Sequence, residues 1–242
     1  MKAWYLDHSG FAVETGEYFL IFDYYRDEPK GGGLADGVID PAALRGKRVV
    51  AFVSHGHHDH FNRAIFGWQR ALPDIRYVLS EGVRPDGGDA IRLGPGQSAE
   101  LGELRVRTLP STDEGVAFLV RRGEDCVYHA GDLNWWHWNG ESADYNREMA
   151  QNYAAYLKPL EGERIDLAFV PVDPRLEDKY FWGLDYFMRT VGAARVAPMH
   201  FWGDESVFSR LRENPRTAGY RERILGPFRR GEQLLPLSSG GG

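Results

Sequence analysis

The sequence predicts an α+β fold of two β-sheets packed together, with helices on the outside. Strand-like segments dominate the first part of the chain, strands and helices alternate after them, and the same succession then repeats. No stretch of the 242 residues has the composition of a linker. We therefore expect a single domain over 1–242, of which 236–242 form a disordered tail.

The first half of the chain is expected to form mainly strands. Alternating apolar and polar residues with intervening glycines predict strands at 2–6, 10–15 and 16–25. The segment 26–44 is rich in Gly, Asp and Pro, which predicts a mobile loop. An apolar, β-branched run predicts a buried strand at 48–54. Helical spacing follows at 62–72, and further strands are predicted at 76–80 and 90–94.

The second half is expected to add strands and three helices. Helices are predicted at 142–158, with Ser142 as the N-terminal cap, at 183–193 and at 206–213. Strands with tight turns are predicted at 98–110, 115–123, 125–131, 165–172 and 195–201.

The composition is that of a soluble globular protein. Hydrophobic residues make up 43% of the chain and charged residues 26%, and the net charge is -6. This charge argues against nucleic acid or an anionic membrane as the main partner, because both attract a basic face. Neither a signal peptide nor a membrane-spanning run is recognisable. We expect a cytoplasmic protein with a small-molecule substrate, and the sequence does not indicate its oligomeric state.

Half of the eight histidines lie in one short loop. The segment SHGHHDHF, from Ser54 to Phe61, follows the predicted strand at 48–54 and holds four histidines and one aspartate. Imidazole nitrogens and carboxylate oxygens bind zinc, and they also bind iron or manganese. Without a metal, so many titrating groups in one loop would be costly to bring together. The loop therefore predicts a metal site.

The pattern His-x-His-x-Asp-His, formed by His55, His57, Asp59 and His60, resembles the signature of the metallo-β-lactamase-fold hydrolases. The N-terminal segment 8–23 is similar to the opening hairpins of that family. The resemblance covers most of the chain and extends to the compact lactonase-like branch, which has no added domain. It implies a four-layer αβ/βα sandwich with two metals in a groove at one edge of the sheets.

The resemblance also implies a ligand set. Asp132 and His200 each follow a strand-like run and match the later aspartate and histidine of the family. The implied ligands are His55 and His57 for the first metal, Asp59, His60 and His200 for the second, and Asp132 as the bridge between them. One or two divalent ions are expected, with zinc favoured and manganese or iron as alternatives. Asp59 would also orient the nucleophile and accept its proton.

The chain departs from the family at one ligand of the first metal. Thr112 and Asp113 stand where a third histidine is expected. Asp113 could be a carboxylate ligand, or a turn residue, since the sequence STDEG is typical of turns. Without Asp113, a single metal at the second site becomes possible. His129, three residues before Asp132, is expected to be buried or to contact a ligand.

Four further residues are candidates for contacts with the substrate or with the metal ligands: His8, Asn134, His137 and Trp202. For each of them, the packing or solvated interpretation is the alternative. The resemblance implies a metal-dependent hydrolase that uses a metal-activated hydroxide on a small ester, lactone or phosphoester. The alternatives are a metal-binding protein without hydrolytic activity and a nuclease or phosphodiesterase, although the chain lacks the inserted domain and basic surface of that branch.

Overall fold

The computed structural model describes residues 1–86 and 90–234. These residues form two compact units. Unit 1 consists of the described residues within Met1–Leu93 and Phe228–Gly242, and unit 2 consists of Gly94–Pro227. The predicted tail at 236–242 lies outside the described residues, and the single domain over 1–242 stays a prediction.

The described residues contain thirteen strands and four α-helices. The strands are β1 (Lys2–Asp7), β2 (Gly10–Thr15), β3 (Tyr18–Phe22), β4 (Arg48–Val53), β5 (Arg76–Ser80), β6 (Ala90–Leu93), β7 (Ser98–Leu101), β8 (Leu104–Pro110), β9 (Val116–Arg122), β10 (Asp125–His129), β11 (Leu167–Pro171), β12 (Arg195–Met199) and β13 (Gln233–Leu234). The α-helices are α1 (Ala64–Gly67), α2 (Ala143–Leu157), α3 (Trp182–Thr190) and α4 (Ser206–Glu213). The 3₁₀ helices are Leu34–Asp36, Pro41–Leu44, Trp68–Arg70, Lys158–Leu160, Pro174–Lys179, Pro215–Thr217 and Arg221–Arg223.

Unit 1 is built on a seven-stranded mixed sheet in the order β13-β1-β2-β3-β4-β5-β6. Strands β1 to β3 pair antiparallel, whereas β3 to β6 pair parallel. In the register of β3 and β4, Phe22 lies beside Phe52, and the N–H of Asp23 continues the pairing with a 3.0 Å bond to the Phe52 carbonyl. Residues that follow these two strands therefore emerge at the same edge of the sheet.

The core of unit 1 packs one face of this sheet against the short helical segment after the histidine loop. Ile65, Trp68 and Leu72 are buried there, together with Val49 and Leu79 from the sheet. Their spacing of three and four residues turns all three apolar side chains of the helical segment to one side. This packing holds the histidine loop between the strand β4 and a fixed helix.

Unit 2 is built on a six-stranded mixed sheet in the order β12-β11-β10-β9-β8-β7. Strands β7 to β10 pair antiparallel, and β10, β11 and β12 pair parallel. The carboxyl ends of three neighbouring parallel strands therefore meet at one edge. Asp132, Asp173 and His200 lie just beyond those ends.

The helices of unit 2 begin and pack as their sequences predict. Ser142 caps α2, because its hydroxyl accepts the N–H of Tyr145 at 3.1 Å. Tyr153 of α2 is buried, and Phe187 of α3 stacks on Tyr128 of β10 at 5.2 Å between ring centroids. Aromatic packing thus holds α3 against the sheet that carries the candidate ligands.

The predicted strands and helices are present, and most bounds differ by one to three residues. The helix expected at 62–72 is shorter, with four α-helical residues followed by a 3₁₀ turn. The predicted loop at 26–44 contains two 3₁₀ helices that its Gly- and Pro-rich composition did not indicate. Val38 and Ile39 in that segment are buried, and the carboxylate of Asp40 caps the second helix. Across 1–86 and 90–234, no helix has the length and apolar character that crossing a bilayer requires.

Candidate metal centre

The histidine loop follows β4 and turns its side chains in two directions. His55 and His60 are buried at 1% and 0% exposure, whereas His57 and His58 are exposed. The ring of His55 lies 4.7 Å from that of His57 and 4.1 Å from that of His60, measured between centroids. The loop thus brings three imidazoles together and leaves His58 at the surface, as expected for the variable position of the motif.

A buried carboxylate beneath this loop fixes two of the histidines. Asp23 accepts bonds from the Ser54 N–H at 2.7 Å, the Ser54 hydroxyl at 2.6 Å and His60 Nδ1 at 2.7 Å. The Ser54 hydroxyl uses its single hydrogen in the bond to Asp23, so towards His55 it can only accept. It therefore accepts a hydrogen bond from His55 Nδ1 at 3.0 Å. Both imidazoles therefore carry the proton on Nδ1 and the lone pair on Nε2, the tautomer that binds a metal through Nε2.

His8 and Asp59 complete the group of potential ligands in unit 1. His8 Nε2 lies 3.4 Å from an Asp59 oxygen, and one donor atom each of His8, Asp59 and His60 all lie within 4.8 Å of one another. Burial by itself raises the pKa of Asp59, but His8 and His60 hold it well below its usual range. Asp59 is therefore a carboxylate at neutral pH.

Asp132 and His200 form the corresponding group in unit 2. Both are buried, and His200 Nε2 lies 3.5 Å from Asp132 Oδ1. His200 Nδ1 donates to the fully buried Asp173 at 2.9 Å, which again leaves the lone pair on Nε2. Each unit thus holds a histidine whose orientation a buried aspartate sets from behind.

Asp173 is itself held by two neighbours. Arg175 Nε donates to both carboxylate oxygens at 3.0 Å, and the indole N–H of Trp202 donates at 3.2 Å. Burial raises the pKa of Asp173, but the hydrogen bonds from His200 and Arg175 outweigh it and lower the pKa to about 2. Trp202 therefore helps to hold the carboxylate of Asp173 in place. Its ring also packs edge-on against the His200 ring, with 5.5 Å between centroids.

Thr112, at the position of the expected third histidine, is used in a turn. Its hydroxyl donates to the Asn134 carbonyl at 2.7 Å and accepts the Asn134 N–H at 3.0 Å. Asp113 is exposed, and its N–H donates to the Ser111 hydroxyl at 3.2 Å. Asp113 also joins neither group of potential ligands found among the described residues. The geometry agrees with the turn interpretation, and a ligand role for Asp113 stays a prediction.

The remaining sequence candidates lie in well-packed surroundings. Asn134 is 1% exposed and presses against Gly183, where a Cβ atom would come within 1.9 Å of its side-chain oxygen. His137 packs edge-on against Trp182 at 4.9 Å, and burial together with Lys179 lowers its pKa. His129 is buried, and its Nδ1 accepts the N–H of Gly131 at 3.1 Å. These contacts do not test a role of the three residues in substrate binding, which stays a prediction for Asn134 and His137.

Sequence reasoning missed the residues that orient the ligands. Asp23, Ser54 and Asp173 were not among the candidates. One signal was present, because Asp23 and Asp173 both stand just after a buried apolar strand, as Asp132 does. Their partners are far away in sequence, 37 residues for Asp23 with His60 and 27 for Asp173 with His200.

The donor set fits a divalent metal. The potential ligands of both units are imidazole nitrogens and carboxylate oxygens, which are ligands for zinc, iron or manganese. Histidines that donate Nδ1–H to a carboxylate are typical of metal sites, because this bond fixes the ring and raises its basicity.

Comparisons with known proteins agree with this reading. No family model matches the chain. A protein of Opitutus terrae named UPF0173 metal-dependent hydrolase is 29% identical over 150 residues, which cover 54% of this chain and 63% of that protein. The alignment thus spans less than two thirds of that relative. UPF0173 metal-dependent hydrolase Ta0764 of Thermoplasma acidophilum is 23% identical over 227 residues, covering 86% of this chain and 84% of the relative.

Solved structures show the fold. Igni18, a metallo hydrolase from Ignicoccus hospitalis, matches with a TM-score of 0.62 and 17% identity over 96% of each chain. YhfI from Bacillus subtilis, a metallo-β-lactamase fold protein, matches with a TM-score of 0.61 and 14% identity over 96% of this chain and 98% of its own. The predicted fold class is confirmed, because the chain has the metallo-β-lactamase fold of these solved structures.

Proposed function

We propose that this protein is a metal-dependent hydrolase and that each unit contributes metal ligands. The proposed ligands are His55, His57, Asp59 and His60 from unit 1 and Asp132 and His200 from unit 2. One observation carries the proposal. In each unit a buried aspartate binds Nδ1 of a histidine, His60 at 2.7 Å and His200 at 2.9 Å, so that Nε2 is oriented as a ligand.

A divalent metal bound here supplies a Lewis acid and lowers the pKa of water to near neutrality. The side chains of the chain then have distinct tasks. Asp59 is ionised because His8 and His60 lower its pKa, so it can orient a nucleophilic water and accept its proton. Asp132 contributes negative charge beside His200, which favours a cation at that position.

The substrate class is part of the proposal. We propose a small ester, lactone or phosphoester, attacked at its carbonyl carbon or phosphorus. The name metal-dependent hydrolase on several relatives supports hydrolysis. The net charge of -6 favours a small molecule over nucleic acid or an anionic membrane. Zinc as the metal, with manganese or iron as alternatives, and action in the cytoplasm belong to the same proposal.

A second candidate is a metal-binding protein without hydrolytic activity. It is favoured by the residue at the third histidine position. That residue is Thr112, and its hydroxyl is hydrogen-bonded to the backbone N–H and carbonyl of Asn134. The proposed first site would then have two histidines and Asp132, a weaker set than the second site. A single metal without a second cation would leave Asp132 as a terminal ligand.

Metal content and turnover, measured on the same preparations, test the proposal. The wild-type protein should carry one or two equivalents of zinc, manganese or iron, and it should hydrolyse at least one member of a panel of lactones, aryl esters and aryl phosphates. A chelator should abolish the turnover, and the same metal should restore it. Asp185→Asn is a matched control, because Asp185 is a buried carboxylate held by Arg189, Arg216 and Tyr220.

The outcomes separate the candidates. Metal without turnover across the panel would favour the binding protein. An absence of metal after reconstitution would contradict both. Asp132→Asn should lower metal content whereas Asp185→Asn should not, and equal loss in both would mean that the effect is one of stability.

A further inference from the structure

We propose that His8 is a direct ligand of the second metal, alongside Asp59 and His60. This inference rests on the proposed function, since it assumes that the histidine loop binds a metal. The sequence makes His8 a candidate for contacts with the substrate or with the metal ligands, and the signature His-x-His-x-Asp-His does not include it. Three features of unit 1 assign it a place among them.

The first feature is the distance between His8 and Asp59. Two histidines near the proposed centre touch aspartates at hydrogen-bond length, 2.7 Å for His60 Nδ1 with Asp23 and 2.9 Å for His200 Nδ1 with Asp173. His8 Nε2 instead lies 3.4 Å from Asp59 Oδ2, beyond the usual range of about 2.7–3.2 Å for an N–H···O bond. Zinc bonds of about 2.0–2.1 Å place two ligands of a tetrahedron about 3.3–3.4 Å apart.

The spacing of His8 and Asp59 is therefore that of two ligands of one ion. The proposed ligands His200 and Asp132 show the same spacing, 3.5 Å between Nε2 and Oδ1. The short contacts to Asp23 and Asp173 are made by Nδ1 of His60 and His200, the ring nitrogen that does not bind the proposed metal. His8 thus follows the pattern of the ligands and not that of the residues that orient them.

The second feature is the position of the His8 side chain. It is 4% exposed, and its ring stands at 86° to the His60 ring with 5.6 Å between centroids. Donor atoms of His8, Asp59 and His60 all lie within 4.8 Å of one another. Three buried or half-buried donors from one unit would supply the protein ligands that a catalytic zinc site uses, with a further position for another ligand or water.

The third feature is the backbone of His8. It occupies the two-residue turn between β1 and β2 with a φ of +50°, a conformation that favours glycine. Its N–H donates to the Tyr5 hydroxyl at 2.8 Å, which holds the turn in place. Strained positions of this kind persist mainly where the side chain serves a purpose. A histidine kept at a glycine position therefore points to a role for its imidazole.

The experiment uses two substitutions that separate ligation from the alternatives. His8→Gly removes the imidazole and suits the positive φ, so it should not lower the melting temperature of the metal-free protein through backbone strain. His8→Gln keeps an N–H donor that can reach Asp59 but replaces the imidazole ligand. His58→Ala is the control, because His58 is an exposed histidine of the same loop. Zinc affinity is measured by competition with a chelator, and imidazoles per metal are counted by X-ray absorption.

We expect both His8 variants to bind one zinc at least about 100-fold more weakly than wild type, beyond the range of about 10–100-fold for a residue that only orients a ligand. The imidazole count should fall, and His58→Ala should bind as wild type does. Wild-type affinity in His8→Gly would overturn the inference. Wild-type affinity in His8→Gln alone would make His8 a hydrogen-bond donor to Asp59. A wild-type protein that binds no metal would instead refute the proposed function.

Discussion

Asp23→Asn is the substitution that tests how the histidine loop is oriented. Asp23 is fully buried and accepts three hydrogen bonds, from the Ser54 N–H, the Ser54 hydroxyl and His60 Nδ1. The amide of Asn keeps one oxygen, which can still accept the Ser54 N–H. Its NH₂ group takes the place of the oxygen that faces the hydroxyl and the imidazole. His60 must then accept at Nδ1 and carry its proton on Nε2, the atom proposed to bind the metal.

The size of the effect follows from these contacts. A hydrogen bond to a charged group contributes about 1.5–3 kcal/mol, and the substitution removes or inverts two of the three. The hydroxyl of Ser54 can rotate to accept from the new NH₂, so we expect a net loss of about 2–3 kcal/mol. In a protein of this size each kcal/mol shifts the melting temperature by about 2–4 °C, which gives a decrease of about 4–12 °C. Metal affinity should fall by about 10–100-fold, as for other residues that orient a metal-binding histidine.

Two measurements on each protein separate stability from metal binding. Melting is followed in chelator, so that bound metal does not contribute, and zinc affinity is measured by competition at a temperature well below the transition. The matched control is Asp185→Asn, which also removes a buried, three-partner carboxylate but lies among Arg189, Arg216 and Tyr220. It should melt lower and bind zinc as wild type does. Wild-type zinc affinity in Asp23→Asn would refute the tautomer argument, and equal zinc loss in the control would show that destabilisation alone accounts for it.

Three further predictions concern unit 2. Asp132→Asn should lower the metal content measured by elemental analysis and Asp113→Ala should not, because Asp132 lies beside His200 whereas Asp113 is an exposed turn residue; the reverse order would make Asp113 a ligand. Thr112→Val should destabilise the metal-free protein by about 1–3 kcal/mol in denaturant unfolding, because both backbone groups of Asn134 lose the hydroxyl, whereas Thr112→Ser should stay close to wild type. Asp173 has a folded-state pKa lowered to about 2, so its contribution to stability is present above the unfolded value of about 3.9 and is lost as the pH falls towards 2. In the presence of chelator, Asp173→Asn should therefore weaken the dependence of the unfolding free energy on pH between about 4 and 2. An unchanged dependence would mean that the partners of Asp173 do not lower its pKa in the folded protein.

The parts of the fold that were predictable are those that depend on local sequence. The strand β4 and the histidine loop were found because an apolar, β-branched run and a dense cluster of ligand residues stand side by side in the chain. The cap of α2 was found because Ser142 directly precedes a helical pattern, and a cap acts within three residues. The two 3₁₀ helices in 26–44 were missed because each is only three or four residues long and contains no buried residue that would give it an apolar pattern. Val38 and Ile39, which are buried, lie between them.

The candidate site was predictable as a list of potential ligands but not as an arrangement. The signature includes Asp59 and His60, whose role as ligands stays a proposal. It could not identify Asp23, because the contact between Asp23 and His60 joins residues 37 positions apart and depends on the pairing of β3 with β4. His8 was a candidate, but only the 3.4 Å spacing to Asp59 distinguishes a ligand from a neighbour. Asp113 shows the converse, since a suitable side chain at a suitable position in sequence lies in an exposed turn.

The carboxylate of Asp23 serves two histidines at once, since His60 binds it directly and His55 reaches it through the Ser54 hydroxyl. A cation that binds one imidazole withdraws electron density from the ring and makes its Nδ1–H a stronger donor. The shared acceptor then has less negative charge to offer the other imidazole. The two histidines belong to different proposed sites, so this exchange is a coupling free energy between them, and thermodynamic linkage makes it reciprocal. We therefore expect anticooperative loading, in which the second equivalent of metal binds more weakly than the first even where the two donor sets are equal.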